Sequence, residues 1–236
     1  MSRLGETFEH LQANGHGGLV AYVTAGDPDR ARSAGVLDAL ARGGADVIEV
    51  GVPFSDPLAD GPVIQRASER ALAAGMTLGG SLELVREFRR AHQTPVVLFT
   101  YANPVVRMDA HTFAREARQA GVDGVLILDY PVEEAEPLRA PLVDAGLDPI
   151  FLISPTTTDD RIRQSAALGS GFLYVISRLG VTGARDALAR EIEPLLGRVR
   201  RQCDLPVAVG FGISRPEHVA QACQHADAAV VGSALV

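Results

Sequence analysis

After its opening Asp46, the stretch DVIEVGVPFSDPLADGP, residues 46–62, holds three more acids: Glu49 among Val47, Ile48, Val50 and Val52, then Asp56 and Asp60 in a proline-bounded loop. A carboxyl group inside an apolar run is pushed toward its neutral form, whereas one on a loop stays ionised, and different surroundings of this kind separate an acid from a base. Glu49 and Asp60 are therefore candidates for general acid–base work, Glu49 with a raised pKa. Each also has a plainer reading. Glu49 could pair with an arginine inside the fold, and Asp60 could serve only the turn chemistry of a loop limited by Pro57, Gly61 and Pro62. A second group of candidates is built from glycine: SRLGVTGAR (177–185), VGFGIS (209–214) and VGSALV (231–236). Their backbone N–H groups could hold a phosphate, although turns need glycine for their own sake.

Other chemistries are excluded or unsupported. All 22 basic residues are arginine, so the chain has no primary amine for a Schiff base, for anchoring pyridoxal phosphate or for a Walker-type phosphate loop. VGFGISR lacks the third glycine of a dinucleotide fingerprint. The six histidines (His10, His16, His92, His111, His218 and His225) are scattered over predicted helices and loops, and no metal site is expected from them. The net charge of −7 is spread along the chain without a basic stripe, which argues against a nucleic-acid partner. No apolar run approaches the roughly 18 residues of a membrane span, and MSRLGETFEH has no apolar signal segment, so a cytoplasmic location is expected. Cys203 and Cys223 form no CxxC pair and are expected to be free thiols of a reducing compartment.

These candidates must be positioned by something, and eight Val/Ile/Leu-rich runs supply it: 19–24, 46–51, 95–100, 124–129, 148–153, 171–176, 206–211 and 228–233. Amphipathic stretches lie between them, and the helices are expected at Asp27–Ala41, Gly80–Ala91, Asp109–Ala120, Val132–Ala145, Thr158–Leu168, Arg190–Gln202 and Arg215–His225. An extra helix, Val63–Ala74, follows the acidic loop, and a leading helix near Glu6–Ala13 would cap the bottom. Eight βα units in 236 residues, undivided by any linker, predict a single-domain (β/α)8 TIM barrel over residues 1–236. The chain stops at VGSALV, so the final C-terminal helix is absent, and an incomplete sequence is the favoured explanation. In a barrel, alternation puts Val47, Glu49 and Gly51 on one face of their strand, and Glu49 points either into the mouth or into the apolar strand–helix interface. An unpaired carboxylate in that interface would cost on the order of several kcal/mol, which favours the mouth.

Taken together, VTAGDP (23–28), IEVGVPFSDPLADGPVIQRA (48–67), TYANPV (100–105), GVDGVLILDYPVEE (121–134), SPTTTDDRI (154–162), SRLGVTGAR, VGFGIS and VVGSA (230–234) resemble the tryptophan synthase alpha subunit family over essentially the whole chain. The resemblance implies a lyase that cleaves indole-3-glycerol phosphate to indole and glyceraldehyde 3-phosphate. It implies no cofactor in this chain, with pyridoxal phosphate on a beta subunit that receives the indole in an alpha2-beta2 complex. It puts the catalytic roles on Glu49 and Asp60, an aromatic position beside the indole on Tyr22, and positions near the site on Tyr174 and Thr182. It puts the phosphate cradle on Gly183, Phe211, Gly212, Gly232 and Ser233, and a partner-facing role on Asp56. Two other readings remain open: a stand-alone indole-3-glycerol phosphate lyase, and a catalytically weak activator of a beta subunit.

Overall fold

The computed structural model describes residues 2–176, 185–210 and 212–236, without the side chains of 185–191. Eight parallel strands close on themselves in sequence order: β1 Gly18–Thr24, β2 Val47–Gly51, β3 Val96–Thr100, β4 Gly124–Ile127, β5 Asp148–Ile153, β6 Leu173–Ile176, β7 Val207–Gly210 and β8 Ala228–Val231. Closure runs through β1 and β8, with Gly18 opposite Ala228. The predicted (β/α)8 barrel is observed, and every predicted strand run contains a strand.

The helices follow their capping residues. Helix α1, Arg3–Ala13, starts where Ser2 accepts the Gly5 N–H, and α2, Arg30–Arg42, where Asp29 accepts that of Arg32. The extra helix α3, Pro62–Ala73, opens with proline at its first position, where no N–H is needed. Helices α4, Leu78–Phe88, and α6, Ala110–Ala120, are capped by Thr77 and Asp109. Between them lies a helix that the sequence reading did not foresee, α5, Ala102–Met108. Its proline, Pro104, falls in the first turn and so does not break it. The expected helix at 132–145 is instead a 3-10 turn, Val132–Glu134, followed by α7, Glu136–Asp144; Pro137 begins a new first turn there. Helices α8, Asp159–Leu168, α9, Arg185–Arg200, and α10, Pro216–Ala222, complete the ring. After β8 the backbone turns, with the Leu235 N–H donating to the Gly232 carbonyl at 2.8 Å.

Two apolar shells meet at the strands. Inside, Val20, Val47, Val97, Leu126, Ile150, Phe172 and Val230 pack on one another, and Leu4, Phe8 and Leu11 of α1 plug the N-terminal end. Outside, Ile48, Val50 and Leu98 pack against the helices. The inner shell is a filled core, so only its C-terminal mouth is available to a ligand.

The N-terminal end is locked by acids. Asp46, Asp123 and Asp227 each stand one residue before an even-numbered strand, and each accepts an N–H from the beginning of the strand before it: Leu19 at 2.8 Å, Val96 at 2.9 Å and Val207 at 2.6 Å. Asp123 also takes Arg3 at 2.6 Å and Arg89 at 3.0 Å, which ties α1 and the α4–β3 connection to the barrel floor.

Candidate active site

Glu49 lies on the same inward face of β2 as Val47, next to Tyr22 of β1 in the strand register, and is 0% exposed. Among the described residues neither carboxyl oxygen has a hydrogen-bond partner. Burial alone pushes its pKa from the usual 4.5 up to about 8, so the group is neutral at ordinary pH. Among the described residues no arginine pairs with it.

An aromatic wall surrounds that carboxyl. Tyr22 meets Phe99 edge-on at 5.2 Å, and Phe99 faces Tyr174 at 6.4 Å. Both phenols are held above their ordinary pKa chiefly by burial; nearby acids add to the rise, and for Tyr22 the hydrogen bond with Thr24 opposes it. Two glycines make room for them. A Cβ on Gly51 would lie 2.2 Å from the Tyr22 hydroxyl, and one on Gly210 would lie 2.3 Å from that of Tyr174.

Asp60 is half-buried in the β2–α3 loop, whose backbone is fixed from several sides. Its own N–H donates to the Pro57 carbonyl at 3.0 Å, and Gln65 donates to the Asp60 carbonyl at 2.9 Å. Its side chain accepts from the Tyr101 hydroxyl at 3.0 Å. Burial raises the Asp60 pKa and this hydrogen bond opposes the rise. Asp56, four residues earlier, faces solvent and accepts from Ser55 at 2.6 Å. Leu58 beside it is 93% exposed, and Val106 on α5, in the loop region after the next strand, is 61% exposed.

The glycine-rich positions are partly visible. Gly212 has a φ of +73°, a conformation open to glycine. Gly232 follows β8 alongside Tyr22, 3.7 Å from its Cβ by the position a side chain would take, and Ser233 is exposed in the turn after it. Thr182, Gly183 and Phe211 lie outside the described residues. Of the histidines, His92 is less idle than expected: it stacks on Phe88 at 4.8 Å and lies 2.9 Å from an Asp38 carboxyl oxygen, but in the α4–β3 connection at the opposite end of the strands. Sequence reasoning missed Tyr101 and Phe99. Tyr101 stood within TYANPV at the end of the third predicted strand, where a barrel presents its functional side chains, and that position was the available signal.

The family model described as tryptophan synthase alpha chain matches residues 8–236. Among characterised relatives, the tryptophan synthase alpha chain of Solibacter usitatus is 51% identical over 236 residues, covering 100% of this chain and 88% of the relative. That of Burkholderia thailandensis is 54% identical over 237 residues, with the same coverage of 100% and 88%. Among solved structures, tryptophan synthase subunit alpha from Legionella pneumophila superposes with a TM-score of 0.92 at 40% identity, covering 99% of this chain and 87% of the other. A chain of tryptophan synthase from M. tuberculosis in an aminoacrylate-bound form gives 0.91 at 37% identity, covering 99% and 90%.

Proposed function

The chain belongs to the tryptophan synthase alpha chain family, and from that premise we propose how its residues divide the reaction. The activity is that of a lyase: indole-3-glycerol phosphate is cleaved to indole and glyceraldehyde 3-phosphate, in partnership with a beta subunit. Carbon–carbon cleavage needs an electron sink, and the indole ring becomes one when C3 is protonated. Neutral Glu49 delivers that proton, and the nitrogen takes on positive charge. Asp60 accepts a hydrogen bond from the indole N–H and stabilises that charge. The Glu49 carboxylate then takes the proton from the C3′ hydroxyl as the C–C bond breaks, which releases the aldehyde and restores both the indole and the acid.

Tyr22, Phe99 and Tyr174 supply the flat walls for the ring. By the family resemblance, the phosphate is assigned to Gly183, Phe211, Gly212, Gly232 and Ser233, and a substrate-side role to Thr182. Asp56, on the loop that also exposes Leu58, faces the beta subunit. Residues 1–236 act as one domain. The chain needs no cofactor of its own; with no lysine it cannot anchor pyridoxal phosphate, which belongs to the beta subunit. No helix among the described residues is long and apolar enough to cross a membrane. A biosynthetic role and free Cys203 and Cys223 support a cytoplasmic location.

The observation that carries this reading is the buried, partnerless carboxyl of Glu49 at the aromatic mouth. Indole formation by Glu49→Gln, measured with and without a beta subunit, tests it. The variant should release no indole while still binding an unreactive indolylpropyl phosphate, and unchanged turnover would overturn the assignment. Because the acid form is needed first, kcat/KM of the natural chain should fall as pH rises through about 8.

A further inference from the structure

We propose that Tyr101 is a positioning residue for Asp60: its hydroxyl holds Oδ2 of the carboxylate and leaves Oδ1 for the indole N–H. This rests on the role given to Asp60 above and adds to it a residue outside the acid pair. Tyr101 ends the third strand unit and stands at the N-cap of α5. Its hydroxyl makes two bonds of opposite sense, accepting the Ala59 N–H at 3.0 Å and donating to Asp60 Oδ2 at 3.0 Å. The Ala59 bond uses a lone pair of the phenol oxygen, which sends its one hydrogen toward the carboxylate. The donor is itself held still, because the ring is 4% exposed and packs on Phe54 at 5.1 Å.

A tether for the loop would need only the Ala59 bond. The second bond goes to the side chain that does the chemistry, in a loop whose other side chains at Ser55, Asp56, Leu58 and Ala59 are exposed. A donor fixed before substrate arrives costs nothing to reorganise during the reaction. Its electrostatic setting makes it necessary. The other titratable groups bearing on the Asp60–Tyr101 pair among the described residues are Tyr22 from β1 and Asp129 beyond β4. These are a phenol and an acid. Burial also works against ionisation of Asp60, and the Tyr101 hydrogen bond is what counters it.

The test is Tyr101→Phe, which keeps the ring on Phe54 and removes only the hydroxyl, assayed in the complex with a beta subunit. We expect kcat for indole formation to fall about tenfold near neutral pH, with KM changed less than about threefold. The sign of the pH effect is fixed. Loss of the donor raises the Asp60 pKa further, so the acidic limb of the kcat profile moves to higher pH, and the deficit deepens as pH falls. A purely structural role would lower kcat by the same factor at every pH and leave the limb in place. Replacing Tyr101 with 3-fluorotyrosine, a more acidic phenol of nearly the same shape, should move the limb the other way, and this arm stands even if Tyr101→Phe does not fold. An unmoved limb in the variant that folds overturns the proposal. Asp60→Asn, run in parallel, separates the two ideas. If it is inactive while Tyr101→Phe has the natural profile, only the Tyr101 proposal fails; if it is fully active, the Asp60 assignment fails and takes this one with it.

Discussion

At the floor of the barrel Asp46, Asp123 and Asp227 each accept a strand N–H, and Asp123 holds two arginines as well; at the mouth Glu49 accepts nothing from the described residues. All four acids sit at or beside strands and are buried or largely so. The floor acids are satisfied, so their charge adds to stability. Glu49 keeps the whole desolvation penalty, and the fold is less stable for it, but the result is a proton available at neutral pH. Asp148 stands between the two patterns: Ser170 donates to one of its oxygens at 2.6 Å, and the other is buried without a partner among the described residues. Pairing, more than burial, distinguishes an acid that holds the barrel together from one that works in it.

The largest expected effects have opposite signs at the two ends. Glu49→Gln should lose on the order of 10³-fold in kcat, the scale of a missing general acid, without losing stability. Asp123→Ala should do the reverse. Removing the buried carboxylate that Arg3, Arg89 and the Val96 N–H share costs about 3 kcal/mol, a fall of roughly 6–12 °C in melting temperature for a chain of this size, although Arg89 keeps its bonds to the Gly121, His92 and Thr94 carbonyls, and turnover per folded molecule stays unchanged. Calorimetry and activity measured on the same samples decide both, and a loss of turnover in folded Asp123→Ala would break the contrast.

A smaller effect follows from linkage. Folding raises the Glu49 pKa from 4.5 to about 8, so between those values the native state keeps a proton that the unfolded chain releases. Native stability therefore falls as pH rises through that window, and Glu49→Gln has no such proton to lose. Its stability relative to the natural chain, followed through the melting temperature, should climb from pH 4.5 to pH 8, by about a few kcal/mol at most. A difference that stays flat with pH would mean that the carboxyl is ionised or paired in the native state. The smallest effect belongs to the helix surface. Arg30 bridges Glu83 and Glu87 at 2.8 and 2.7 Å, but all three are exposed, and Arg30→Ala should cost about 0.5 kcal/mol, with the difference fading in high salt.

Much of this contrast was legible in residue order. Alternation through Val47, Ile48, Glu49 and Val50 predicted a buried strand with its charge on one face, and the structure puts that face inside the barrel. Asp109 and Thr158, where the sequence predicts helix starts, are the observed caps, whereas the starts expected at Asp27 and Gly80 fall near but not on the observed caps Asp29 and Thr77. The helix within TYANPVVRM escaped because its seven residues are too few to carry a clear apolar period, and the break at Pro137 because apolar periodicity continues through it. Tyr101 was passed over because its partner lies 41 residues earlier in a loop of no fixed period.

The sequence alone determined the eight βα units, the excess of acid, the exclusion of lysine chemistry and the identity of Glu49 and Asp60 as candidates. Those depend on composition and on short-range periodicity, which a chain carries before it folds. Tertiary structure decided that Glu49 has no arginine partner among the described residues, that Gly51 and Gly210 leave the space that Tyr22 and Tyr174 fill, and that Tyr101 holds Asp60. Each of these depends on which side chains from distant strands meet at one end of a closed sheet. No local pattern encodes that, because a carboxyl group's pKa is set by the neighbours it is given and by those it is denied.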